Sequence, residues 1–299
     1  MVAAMITSQM IEANGLSFHC LTAGDPTRPL LLMLHGFPEY SGAWEEMLER
    51  LSDDYFCVAP DQRGYNTSSK PEGVAEYTGG KLARDAAAIL THFAPRARAV
   101  IGHDWGASVA YALTFARPDL MDRLIILNGA HPIPFQRALA AGGPQAEASQ
   151  YIEYLRSPKA EARLSADNFG KLAALFAEGM DMSWLHGERR ERYIRAWSQP
   201  GALTGMLNWY RATPMQVAKP GQPISAEEIK ALDPAKLRVK PPHLLIWGRN
   251  DTALKMSAHE GLEDLCDDLT IRYFDDADHW IIHQQPDAVA AVIRDYLAG

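Results

Sequence analysis

One hexapeptide, Gly102-His103-Asp104-Trp105-Gly106-Ala107, constrains this chain more than any other feature. It follows an apolar run at 99–101 and leads into a helical pattern, so the chain turns sharply from strand to helix at Asp104. Small residues on both sides suit a tight turn that neighbouring strands crowd. Strand, turn and helix in that order is the unit of a parallel sheet flanked by helices, and the first half of the chain repeats the alternation. Residues 17–22, 30–34, 56–59, 99–101 and 124–127 read as strands. Residues 80–93 carry Leu82, Ala86, Ile89, Leu90 and Phe93 on one face of a helix that feeds the strand before Asp104.

After Pro132 the strand rhythm stops until 243–247, and the intervening stretch, rich in Ala, Arg, Glu, Tyr and Trp, has helical spacing. The expected organisation is therefore an α/β core built from 1–132 and 238–299, with a helical cap at 133–237 inserted after the sixth strand and roofing the sheet edge where Asp104 lies. A Pro/Gly-rich loop at 218–225 falls inside the insertion. The sheet resumes at 243–247 and 269–274, and 287–297 closes the chain as an amphipathic helix. With 299 residues and 47% hydrophobic content, such a chain can bury a large core.

The formal net charge of -8 and the lack of a long basic run argue against nucleic acid and anionic membranes as partners. Cys20, Cys57 and Cys266 are odd in number and widely spaced, so they read as reduced packing residues, which fits a cytoplasmic setting. The N-terminal stretch lacks the basic start and apolar run of a secretory signal, and no segment is long enough to span a bilayer. Neither a metal-ligand cluster nor a nucleotide-binding glycine loop occurs, so no cofactor is implied. Monomer and homodimer stay equally open.

The turn also determines the chemistry. An aspartate, with a reference pKa of roughly 3.9, needs no base to become a nucleophile at neutral pH. Its carboxylate can attack an electrophilic carbon and leave an ester, which frees a histidine to activate the water that cleaves it. The competing reading of Asp104 is an ordinary helix N-cap. An acid and a histidine are expected downstream, each just past a strand end. Asp251 follows 243–247 through the turn Gly248-Arg249-Asn250, and His279 follows 269–274 through an acidic loop, with His283 as its rival. Asp276 and Asp278 in that loop read as solvated charges. Oxyanion donors are expected from the backbone N–H groups of Trp105 and of Phe37, in the loop His35-Gly36-Phe37-Pro38 after 30–34.

Taken together, His35-Gly36-Phe37-Pro38-Glu39, Asp61-Gln62-Arg63-Gly64-Tyr65, the Asp104 turn, Asn208-Trp209-Tyr210-Arg211 and His279-Trp280 resemble the α/β-hydrolase-fold epoxide hydrolases. The resemblance implies a covalent ester on Asp104, water activation by His279 with Asp251, and two cap tyrosines that hold and protonate the epoxide oxygen. Tyr210 matches the second of these; Tyr151 aligns with the first, although Tyr154 lies one helical turn away. Trp105, Phe37, His35 and Trp280 are expected to face a small apolar epoxide. Asn66 stands where the family often has glycine, and asparagine tolerates the left-handed backbone such a turn needs. Haloalkane dehalogenases share the Asp-Trp turn, but Phe37 occupies their usual asparagine site. In haloacetate dehalogenases an arginine stands where Trp105 is, and an esterase would carry a nucleophile other than Asp104. A binding protein that kept the fold without the chemistry is a more distant alternative. Trp184, Phe169, Met180 and Met206 are either pocket lining or core, with core the stronger reading.

Overall fold

The computed structural model describes residues 5–299 except 176, 178, 230 and 231. Eight strands form one sheet: β1 (Thr7–Ala13), β2 (Leu16–Ala23), β3 (Leu30–Leu34), β4 (Phe56–Pro60), β5 (Ala97–His103), β6 (Met121–Leu127), β7 (His243–Gly248) and β8 (Leu269–Phe274). Their spatial order is β1-β2-β4-β3-β5-β6-β7-β8. Pairing is parallel from β4 through β8, while β1 and β2 join antiparallel at one edge. The central strands β3 and β4 are buried at every position, which explains their unbroken apolar runs.

β1 is the strand that sequence periodicity missed. Only Ile11 and Ala13 of its seven residues turn fully inward, so its alternation is too weak to register. The signal was in the turn that follows, where Asn14 and Gly15 both have positive φ, at 50° and 72°, the pattern of a two-residue hairpin. The helix Gly79–Phe93 is as expected and buries Leu82, Ala86, Ile89 and Leu90. It also buries Asp85, whose carboxylate receives Arg63 through Nε at 2.6 Å and Nη2 at 2.7 Å.

Between β6 and β7 the described chain is helical, with helices at Pro132–Ala140, Tyr151–Arg156, Gly187–Trp197 and Ala202–Ala212 among others. This segment rests on the loops that leave the C-terminal ends of β3 and β4. The Trp197 indole donates to the Pro38 carbonyl, the Trp209 indole to the Arg63 carbonyl, and the Tyr193 hydroxyl to Glu39. Gly205 lies so close to Gly64 that a Cβ on it would stand 2.6 Å from the Gly64 carbonyl oxygen. The loop at 218–225 is pinched by an isolated bridge between Lys219 and Gln222. Among the described residues, no helix is long and apolar enough to cross a membrane. Cys20, Cys57 and Cys266 are free and buried.

Candidate active site

Asp104 sits between β5 and the helix Trp105–Ala116 with φ 51° and ψ -118°, a backbone state that costs an L-residue energy and persists only when its surroundings enforce it. The enforcement is visible at Gly106, where a Cβ would run into the Leu34 carbonyl at the end of β3. As a helix cap Asp104 is idle, since its side chain bonds none of the first-turn N–H groups. Its Oδ1 accepts instead from the Phe37 backbone N–H at 2.7 Å. Trp105 opens the helix, so its N–H is one of the donors without an intrahelical acceptor.

The other carboxylate oxygen, Oδ2, lies 3.5 Å from His279 Nε2. His279 Nδ1 donates to Asp251 Oδ2 at 2.8 Å. Asp251 follows β7 and is fixed on all sides: Oδ1 accepts from the N–H groups of Ala253 and Leu254, both at 2.8 Å, and Oδ2 also accepts from Asn128 Nδ2 at 2.8 Å. Burial alone would push the Asp251 carboxyl up; the His279 charge and these hydrogen bonds outweigh it and hold it low. For His279 burial works toward a lower value, yet the charges and hydrogen bonds of Asp251 and Asp104 raise it well above the usual imidazole range. His283, the rival histidine, points elsewhere, donating from Nε2 to Glu39 at 2.7 Å.

Tyr151 and Tyr210 come from the first turn of one helix of the segment between β6 and β7 and the end of another, with ring centroids 6.2 Å apart. With Asp104 they line a chamber of about 30 Å³. Burial first, and the nearby Asp104 charge among further causes, push both phenols well above their ordinary range, so both keep their protons at neutral pH. Tyr154 does not border this chamber; the Arg163 guanidinium covers its ring at 5.6 Å.

The four side chains expected to face substrate divide. Trp105 lines the chamber, and the Phe37 ring meets Tyr210 edge-on at 5.0 Å. His35 is fully buried and supports the loop instead: its Nδ1 bonds the Gly36 carbonyl at 2.9 Å and its Nε2 accepts from the Gln62 N–H at 3.1 Å. Trp280 is likewise buried, packed between Trp184 and the edge of His279. Asp278 corrects the reading of a solvated loop charge. It is 5% exposed and accepts from the Trp280 N–H at 2.8 Å and the Asp181 N–H at 2.7 Å, whereas Asp276 is exposed. Of the aromatic and methionine candidates, Trp184 stacks on His283, Phe169 packs on Trp197, Met206 is core, and Met180 lines a separate open groove that Tyr151 borders. Asn66 adopts φ 40° and donates to Asp61 at 2.7 Å.

Two supporting residues escaped the sequence. Asn128, at the end of β6 with φ 34°, links Asp251 to β7 by accepting from the Gly248 N–H at 2.8 Å. Glu39, fully buried, contacts His103 Nδ1 at 3.0 Å, and His103 Nε2 contacts the His279 carbonyl at 2.8 Å. An asparagine just past a buried strand was the available signal for the first; a carboxylate amid apolar loop residues was the signal for the second.

A family model described as the alpha/beta hydrolase fold matches residues 29–286. The AB hydrolase superfamily protein YfhM of Bacillus subtilis (strain 168) is 35% identical over 98% of both chains. Human epoxide hydrolase 4 is 31% identical, over 96% of this chain and 77% of its own length. A solved structure among epoxide hydrolases from metagenomes of hot environments superposes with a TM-score of 0.90 at 35% identity, covering 99% of each chain. The chain belongs to the α/β-hydrolase family and, within it, to the epoxide hydrolases.

Proposed function

We propose that the protein hydrolyses epoxides to vicinal diols through an ester on Asp104. The observation that carries this reading is the pair of protonated phenols, Tyr151 and Tyr210, lining the same chamber as the Asp104 carboxylate. Opening an oxirane develops an alkoxide, and a phenol that stays protonated can donate to it. Oδ1 is already hydrogen-bonded to the Phe37 N–H, so Oδ2 is the attacking oxygen. It bonds to a ring carbon, the carbon–oxygen bond breaks, and a tyrosine proton passes to the leaving oxygen. Oδ1 then becomes the ester carbonyl. Water, giving its proton to His279, adds to Cγ; negative charge collects on Oδ1, where the Phe37 N–H is in place to stabilise it. Collapse breaks the Cγ–Oδ2 bond, so Oδ2 leaves on the substrate carbon as the second oxygen of the diol; the proton on His279 and that of the new Asp104 carboxyl return to this oxygen and to the tyrosinate, and until then Asp251 stabilises the imidazolium through Nδ1.

The route predicts where oxygen from water goes. In a single turnover in heavy-oxygen water, the label enters the Asp104 carboxyl and the diol stays light; label in the first-turnover diol would rule out the ester. A His279→Gln variant accumulates the ester as a mass increase equal to the epoxide. Halide release from haloalkanes without epoxide turnover would favour the dehalogenase reading, for which the site has no observation comparable to the two phenols.

A further inference from the structure

The helices that carry the two phenols hold each other by their ends. Tyr210 lies in the last turn of the helix Ala202–Ala212, where backbone carbonyls lack intrahelical partners, and four residues on stands Pro214, which has no N–H to offer the Tyr210 carbonyl. Arg156 supplies the donor. It ends the helix Tyr151–Arg156, and its Nε donates to the Tyr210 carbonyl at 3.0 Å. Its Nη2 donates to the Met215 carbonyl at 2.8 Å and reaches that of Thr213 at 3.4 Å, while Nη1 pairs with Glu153 at 2.6 Å. Arg211 returns the contact from the other helix, with its Nη2 donating to the Ser157 carbonyl at 3.2 Å and its Nη1 pairing with Glu161 at 2.7 Å.

Arg156 touches the walls of the reaction chamber from behind. Tyr151 and Ile152 of its own helix, Tyr210, and Met215 all line the chamber, so one guanidinium ties three stretches of the lining together. Arg156 itself does not border it. Carbonyls at and beyond a helix C-terminus favour a cation, and a planar fork can address several of them at separate points where an ammonium presents a single one. The Glu153 carboxylate is 57% exposed, so that ion pair adds little and the carbonyl contacts are the substantive ones.

We propose that Arg156 is a positioning residue for ring opening: by clamping the Tyr210 and Met215 carbonyls to the end of the Tyr151 helix, it sets the spacing at which two phenols meet one epoxide oxygen. The inference rests on the epoxide-opening reading. The covalent path from Tyr151 to Tyr210 runs through most of the helical segment, so the 6.2 Å between their rings depends on contacts made directly between the two helices. A displacement of about 1 Å is enough to weaken proton donation in the transition state severely. Ester hydrolysis has no such dependence, because His279 is held by Asp251, and Asp251 by Asn128 and the N–H groups of Ala253 and Leu254.

The test separates the two steps. Styrene oxide is mixed with excess enzyme, the reaction is quenched at short times, and the ester on Asp104 and the diol are followed by mass. Arg156→Met is expected to slow ester formation about tenfold and to leave ester hydrolysis within about twofold of wild type. Arg156→Lys, which keeps the charge without the fork, is expected to slow ester formation by about threefold or more, and it decides by the same split if Arg156→Met does not fold. If both steps slow alike in the Arg156 variants, or neither slows, the inference is overturned and the epoxide reading stands. A wild type that forms neither ester nor diol overturns both.

Discussion

His279 faces Asp251 at one ring nitrogen and Asp104 at the other, and both carboxylates favour its protonated form. His279, which on the proposed route accepts a proton from water, is thus raised well above the usual imidazole range in the resting site. On the proposed route, alkylation of Oδ2 removes the Asp104 charge, and one of the causes holding the proton on His279 goes with it. Base strength therefore falls when the ester forms, the moment at which neutral imidazole is needed. Asp104→Asn imitates that neutralisation. Titration of the His279 ring by NMR is expected to give a lower midpoint in Asp104→Asn than in wild type, with turnover abolished in the variant. An unchanged midpoint would mean that Asp104 does not act on the histidine's proton.

At the scale of the element, the β5-turn-helix unit is built around backbone approach more than around side chains. Gly106→Ala would drive its Cβ into the Leu34 carbonyl, and β3 cannot retreat because it pairs β4 on one side and β5 on the other. The expected cost is more than about 4 kcal/mol, seen in denaturant unfolding or as loss of soluble protein. A variant of near wild-type stability would show that the turn can relax. This unit was legible in the sequence because its requirements are local: small residues around one aspartate, an apolar strand before and a helical stripe after. Asp251 and His279 were legible for the same reason, each lying just past a strand that announced itself. Asp278 was misread because an acidic loop looks the same in sequence whether its charges face water or backbone N–H groups, and only the fold brings Asp181 to it. His35 was misjudged in a related way: its position was apparent, yet its partners in the Asp61-Gln62 turn come from the parallel strand alongside.

Across the whole molecule, Glu39 joins segments far apart in the chain. Its carboxylate meets His103 just before Asp104, His283 four residues after His279, and Tyr193 of the helical segment between β6 and β7 at 3.2 Å, while Trp184 of the same segment stacks on the His283 ring at 3.9 Å. The helical segment between β6 and β7 and the sheet are therefore held together partly by one buried charge. Burial would raise the Glu39 carboxyl, but the hydrogen bonds and charges of the two histidines win and set it well below the usual carboxylate value. A carboxyl depressed on folding stabilises the folded state above its unfolded pKa, about 4.3, and that stability is lost as pH falls through the folded value. Glu39→Gln removes the charge and leaves two buried histidines facing an amide, at an expected cost of about 3 kcal/mol near neutral pH. The gap between wild type and Glu39→Gln, followed by urea unfolding from pH 7 downward, should narrow as acid protonates Glu39 in the wild type. A gap that stays constant over that range would mean that Glu39 contributes through its shape and not its charge, and the tie between the helical segment and the sheet would then be one of packing alone.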